Sequence, residues 1–65
     1  MKAKDIKVGM RYRERDEEFE VDSRVCSVEQ LVSDKTKVTR GVIVELEDGS
    51  TIQWMDPDAE VREIS

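Results

Sequence analysis

Basic side chains recur at every second position over one short stretch of the chain. Arg11, Arg13 and Arg15 alternate with Tyr12 and Glu14, so in an extended strand the three guanidinium groups project from one face. A planar guanidinium binds phosphate oxygens through paired hydrogen bonds. A second basic group follows further along the chain, at Lys35, Lys37 and Arg40. The pattern makes nucleic acid one candidate partner.

The acidic residues that follow these arginines offer a competing explanation. Glu18, Glu20 and Asp22 fall on the same outer face of the next strand, where cross-strand ion pairs would neutralise the arginines. Residues 1–15 hold six basic and two acidic residues, a net charge of +4, whereas the remainder carries −9 and the whole chain −5. Because a net negative charge repels a polyanion at long range, nucleic-acid binding is the alternative and not the first expectation.

Catalytic chemistry has few candidate residues in this chain. Histidine is absent, which removes the commonest general base and the commonest transition-metal ligand. Cys26 is the only cysteine, so neither an internal disulfide nor a cysteine cluster for zinc is expected, and we predict that it is a small buried hydrophobic residue. The acidic stretch 56–60 lacks the glycine and the ligand spacing of a calcium loop. We therefore expect no enzyme activity, no cofactor and no metal site.

The length of the chain limits how it can be organised. Sixty-five residues hold one hydrophobic core, so we expect a single small domain over residues 1–65. Its basic N-terminal segment, residues 1–8, can be flexible. No apolar run is long enough for a signal peptide or a membrane span, and we expect a cytoplasmic protein. Such a chain is typical of small accessory proteins of bacteria or phages.

The strongest structural signal is the Asp48-Gly49 pair between two β-prone runs. A three-residue loop with Gly49 in the left-handed conformation pairs Val44 with Ile52, whereas a two-residue turn would place each apolar residue opposite a polar one. The first register predicts one apolar face, formed by Val42, Val44, Leu46, Ile52 and Trp54. Ile43 then points to the outer face.

Two further segments flank this hairpin. Strict alternation over residues 10–15 predicts a first strand. Phe19, Val21 and Val25 share one parity while Val28 and Val32 take the other, so residues 19–32 are a long strand only if it has a bulge near 26–27. A short helix over residues 25–32 is the alternative, because the sequence 27–30 fits a capping box. At the C-terminus, the stretch 56–59 predicts one helical turn.

This order of elements resembles SH3-like and Tudor-like small barrels. The residues that carry the resemblance are Val8-Gly9-Met10, Gly41-Val42-Ile43-Val44, Asp48-Gly49 and the stretch from Asp56 to Ile64. It implies an all-β fold, a small five-stranded, partly open barrel with one short helical turn near the C-terminus. The aromatic ligand sites of these families do not carry over, because we expect Tyr12, Phe19 and Trp54 to face the core.

A barrel of this kind without catalytic residues predicts a non-enzymatic protein-interaction module, with another protein as its partner. The predicted partner-binding residues lie on the outer face or along an unpaired edge strand: Ile43, Gln53 and Met55. The alternative is a small barrel that binds nucleic acid through Arg11, Arg13, Arg15, Lys35, Lys37 and Arg40. The sequence leaves the oligomeric state open.

Overall fold

Four antiparallel strands form one curled sheet, a half-barrel. In the computed structural model, which describes residues 1–65, the strands are β1 (Arg11–Arg15), β2 (Glu20–Val32), β3 (Thr39–Leu46) and β4 (Thr51–Trp54), and they lie in the order β1-β2-β3-β4. This confirms the predicted mainly-β class. The predicted number of five strands is wrong.

The C-terminal segment lies along β1 without becoming a fifth strand. Ile64 makes one isolated bridge with Tyr12, and Ser65 exchanges two backbone hydrogen bonds with Arg11, at 2.9 and 3.1 Å. A third bond runs from the N–H of Arg13 to the carbonyl of Glu63, at 2.8 Å. The contact with β1 is limited to these last three residues, and the N–H of Arg62 donates to the carboxylate of Glu63, at 3.1 Å.

The predicted helical turn near the C-terminus is also wrong. The N–H of Ala59 donates to the carbonyl of Asp56, at 3.1 Å, and the Asp56 carboxylate accepts the N–H of Asp58, at 2.9 Å. This is the cap bond that Asp56 was predicted to make, but the chain closes a single turn at residues 57–58 and no helical residue follows. The one helical element is a 3₁₀ helix at Ala3–Asp5.

β2 is long and bent, and its two halves pair with different neighbours. β1 pairs with residues 20–24 and β3 with residues 25–32, and a register shift between Val25 and Ser27 places a bulge at Cys26. This confirms the strand and its bulge over the helical alternative. Cys26 itself is exposed, so its predicted burial is wrong. The bulge turns its thiol outward, where Sγ lies 3.3 Å from the carbonyl oxygen of Glu45.

The β3–β4 hairpin has the predicted register. Val44 lies opposite Ile52, the N–H of Leu46 donates to the carbonyl of Ser50 at 2.8 Å, and Gly49 has a φ of 92°. A left-handed residue at this position is what a three-residue loop requires, and glycine adopts it without steric cost.

The core lies on the inner side of the curl and is entirely apolar. Its nine buried residues are Ala3, Ile6, Tyr12, Val25, Val42, Val44, Leu46, Val61 and Ile64, with Trp54 half-buried against them. The predicted burial of Phe19 is wrong, because its side chain is 51% exposed. Phe19 belongs to the β1–β2 turn, which closes through a 2.8 Å hydrogen bond from the N–H of Asp16 to the carbonyl of Phe19. No helix in the structure has the length and apolar character needed to cross a membrane.

Candidate interaction surfaces

The three predicted partner-binding residues lie together on the outer side of the β3–β4 hairpin. Ile43 is paired with Gln53, and side chains at paired positions point to the same side of a sheet. The Nε2 of Gln53 lies 3.0 Å from the Sδ of Met55. Ile43 is half-buried, whereas Met55 is 75% exposed. These three residues, together with Leu31, are called the outer patch.

Gly41 and Leu31 belong to this surface although the sequence did not indicate them. The two residues are paired across β2 and β3. A Cβ added to Gly41 would lie 2.8 Å from the carbonyl oxygen of Trp54, 3.4 Å from Cδ1 of Leu31 and 3.6 Å from Cα of Met55. The backbone after β4 therefore passes close over Gly41, which brings Met55 beside Leu31. Leu31 was missed because its helical spacing from Val28 suggested a core position, whereas the pairing of β2 with β3 places it outside.

β4 leaves one edge without a neighbouring strand, because the sheet ends there. Since the N–H of Leu46 donates to Ser50, the alternation of an antiparallel ladder directs the backbone groups of Ile52 toward β3 and those of Thr51 and Gln53 away from it. No backbone group outside the sheet meets these outward groups. The free edge of β4 and the outer patch thus share Gln53.

The border of the outer patch is acidic. Glu29 lies opposite Ile43 on β2, and Glu45 lies opposite Thr51 on β3. Neither carboxylate forms an ion pair, since the five ion pairs of the molecule all involve other residues. Both carboxylates therefore lack a cation within ion-pair distance.

The outer face of β1 presents its three arginines as predicted, and one carboxylate holds two of them. The Nε and a terminal nitrogen of Arg11 donate to the two oxygens of Asp22 at 2.5 and 2.8 Å, and the Nε of Arg13 lies 3.8 Å from Asp22. The hydrogen bond with Arg11 lowers the pKa of Asp22, and the same bond raises the pKa of Arg11. Ion pairing therefore satisfies this part of the face.

A fourth arginine that sequence reasoning missed completes this face. Arg24 lies directly opposite Arg11 on β2, and its guanidinium donates to the backbone carbonyl of Gly9 at 3.1 Å. Arg15 lies opposite Glu20, yet neither Arg15 nor Arg24 has a carboxylate within ion-pair distance. Arg24 precedes the bulge and shares the parity of Asp22, so the alternation of β2 already directed it to the outer face. The four residues Arg11, Arg13, Arg15 and Arg24 are called the arginine face.

The second predicted basic group lies far from the arginine face. Lys35 and Lys37 are in the loop that joins β2 to β3, and Arg40 is near the start of β3. Ten residues of β2 separate Asp22, which lies beside Arg11, from Val32, which lies beside that loop. At about 3.3 Å per residue, this is about 30 Å along the strand. The molecule measures 41 Å along its longest axis. The structure thus separates the two basic groups predicted to act together.

A polar groove of about 390 Å³ runs between the 3₁₀ helix, the turn at residues 57–58 and the far end of the β2–β3 hairpin. Two charged groups of its lining are paired, because Asp58 lies 3.2 Å from the Nζ of Lys4. Asp58 also lies 3.6 Å from the Nζ of Lys2. The hydrogen bond from Lys4 lowers the pKa of Asp58. These pairs hold the N-terminal segment against the C-terminal turn.

Together the half-barrel and its two outer surfaces describe a small antiparallel β domain of the small-barrel kind. Comparison with protein-family models gave no match, and comparisons with curated proteins and with solved structures gave none either. The partner of this chain is therefore inferred from the chemistry of its own surfaces.

Proposed function

We propose that this chain is a non-enzymatic protein-interaction module of SH3-like or Tudor-like barrel architecture, which binds an extended segment of a partner protein along the free edge of β4. The observation that carries the proposal is the position of this edge: its outward backbone groups at Thr51 and Gln53 lie beside the exposed apolar side chain of Met55. An exposed strand edge is a template for pairing with another chain.

In such a complex the backbone and the side chains have different roles. The main-chain groups of Thr51 and Gln53 supply the hydrogen bonds of a new ladder, which any extended segment satisfies. Alternate side chains of the added strand point to the outer face, where they meet Gln53 and Met55, the residues of the outer patch nearest the free edge. Methionine is flexible and polarisable, so it adapts to partner side chains of different shapes.

The charge of the border selects among extended segments. Glu29 and Glu45 flank the outer patch without ion pairs of their own, so a partner segment with an apolar residue between basic residues fits best. Charges at the rim of an interface act mainly on the association rate and on specificity. We therefore expect association to slow as the salt concentration rises.

Site-specific photo-crosslinking tests the proposal. A photoreactive residue at position 51, on the free edge, is compared with the same residue at position 36, which is also exposed and lies in the loop between β2 and β3, after irradiation in an extract of the source cell. We expect an adduct from position 51 alone, which Met55→Glu abolishes and Val8→Glu preserves. Val8→Glu adds the same charge at another exposed apolar residue, 63% exposed.

Purified components then identify the binding mode. Hydrogen exchange with the crosslinked partner segment should show new protection of the backbone amides of Thr51 and Gln53, because strand addition places them in a ladder. Equal adducts from positions 51 and 36, or binding that leaves both amides unprotected, would refute strand addition at β4.

A further inference from the structure

We propose that the arginine face binds the phosphate backbone of single-stranded nucleic acid. This inference is independent of the proposed function, since it concerns the other half of the sheet and a partner of different chemistry. It differs from the alternative that the sequence indicated, because Arg24 joins the site whereas Lys35, Lys37 and Arg40 are excluded from it.

The arrangement of the arginine face is linear. Arg11, Arg13 and Arg15 occupy alternate positions of β1, so their Cα atoms follow one another at intervals of about 6.6–6.8 Å. Arg24 widens the row at one end, because paired Cα atoms of antiparallel strands lie about 4.5–5.5 Å apart. A rigid row of guanidinium groups matches a chain of phosphates better than a single compact anion.

The charges of this face are not balanced within the chain. Like charges in directly paired positions destabilise a sheet, yet Arg11 and Arg24 are paired. Asp22 is the single carboxylate in ion-pair contact with the face, and both of its oxygens are engaged by Arg11. Bound phosphate would relieve the repulsion between Arg11 and Arg24 and would give Arg15 and Arg24 the anionic partner they lack.

A small hollow lies beside the arginine face, at the end of β1. Its volume is about 150 Å³, and it is lined by Arg13 and Arg15 together with Glu14, Glu20 and Val21. Because two carboxylates share this hollow, we expect weak binding, with a dissociation constant of roughly 1–100 μM at physiological salt, as for sequence-independent contacts.

Phe19 favours a single strand over a duplex. It is exposed in the turn that follows Arg15, at the end of the row that is farther from Arg24. Unpaired bases stack on aromatic rings whatever their sequence. A duplex hides its bases from such a ring. An anionic membrane is a poorer partner, because a broad surface would also repel the net charge of −9 carried by residues 16–65.

A fluorescence-anisotropy titration with a labelled 20-nucleotide oligo(dT) tests the inference. Single strands give a slope of about −0.7 in log K against log salt for each phosphate contact. Three arginines, Arg13, Arg15 and Arg24, are not held bidentately, so we expect a slope of about −2 and about a 20-fold loss of affinity between 50 and 200 mM salt.

Matched double variants locate the site. Arg13→Gln with Arg15→Gln should lower the affinity at least tenfold and reduce the slope to about −0.7. Lys35→Gln with Lys37→Gln changes the net charge equally at the far end of the molecule, and we expect it to change the affinity less than twofold. Phe19→Ala should weaken binding of oligo(dT) but not binding of a duplex of the same length.

Several results would overturn the inference. Wild-type protein that does not bind oligo(dT) at 25 mM salt refutes it directly, as do equal losses in the two double variants, which would indicate diffuse electrostatic attraction. A duplex that binds more tightly than the single strand refutes the role of Phe19. Vesicles of anionic phospholipid that bind more tightly than oligo(dT), and that lose binding on Arg13→Gln with Arg15→Gln, would assign the face to a membrane.

Discussion

Replacing Gly41 by alanine should destabilise the fold and distort the outer patch together. The added Cβ would lie 2.8 Å from the carbonyl oxygen of Trp54, a backbone atom of the paired strand that cannot rotate away. Overpacking of this kind costs about 1–3 kcal/mol, whereas alanine in place of glycine within a strand gains about 0.5–1 kcal/mol from the unfolded chain. Because the contact is with backbone and closer than 3.0 Å, the overpacking cost lies above the low end of that range, at about 2–2.5 kcal/mol. The net expectation is a loss of about 1–2 kcal/mol.

Thermal and urea unfolding followed by circular dichroism measure this change. For a domain of this size 1 kcal/mol corresponds to about 7 °C in Tm, so Gly41→Ala should melt about 7–15 °C below the wild type. Chemical shifts of Trp54 and Met55 should move in the folded variant, because relief of the contact displaces the end of β4. A variant as stable as the wild type, with unchanged shifts at both residues, would show that the backbone of β4 does not approach Gly41 this closely.

Three further predictions concern ionisable side chains. Burial, and second its hydrogen bond to Glu14, raises the pKa of Tyr12 above its usual value of 10.0. The free energy of unfolding therefore keeps the full contribution of Tyr12 below pH 10 and loses it as the pH rises above 10. An ultraviolet titration of Tyr12, the only tyrosine, should show ionisation only as the protein unfolds at higher pH. The pKa of Asp22 is lowered by the hydrogen bond with Arg11, so its contribution is present above pH 3.8 and lost as the pH falls below it; acid melts of Asp22→Asn should lack this loss. Cys26 is exposed and should react with a thiol reagent in native buffer without unfolding, whereas protection until denaturation would contradict its outward position.

Local sequence signals predicted the β3–β4 hairpin because each of its determinants is short in range. The turn residue Gly49 sets the loop conformation, and parity from that loop sets which residues pair. Val44 opposite Ile52 then follows, as does the outward direction of Ile43. The bulge in β2 was also predictable, since Val25 and Val28 cannot face one core from an unbroken strand.

Other features depended on contacts between distant parts of the chain, which parity along one strand does not contain. Shifting the bulge by one residue exchanges the directions of neighbouring side chains, and this decides that Cys26 is exposed. Phe19 has the parity of a core residue, but the β1–β2 turn excludes it from the strand. The number of strands was overestimated because only the last three residues, 63–65, bond to β1, and local propensity does not show how far such a pairing extends.

The bend in β2 explains how so short a chain presents two chemically different surfaces. One strand of 13 residues contributes Arg24 to the arginine face before the bulge and Leu31 to the outer patch after it. Because the bulge lets both halves keep their apolar side chains on one core, the outer positions on either side are free to differ in charge. Sites more than about 10 Å apart with no shared partners combine additively, so Arg13→Gln should leave binding at β4 unchanged and Met55→Glu should leave oligonucleotide binding unchanged. Coupling between the two variants would require the bulge to change its geometry when either surface is occupied, and exchange measurements at the Cys26 amide would detect that change.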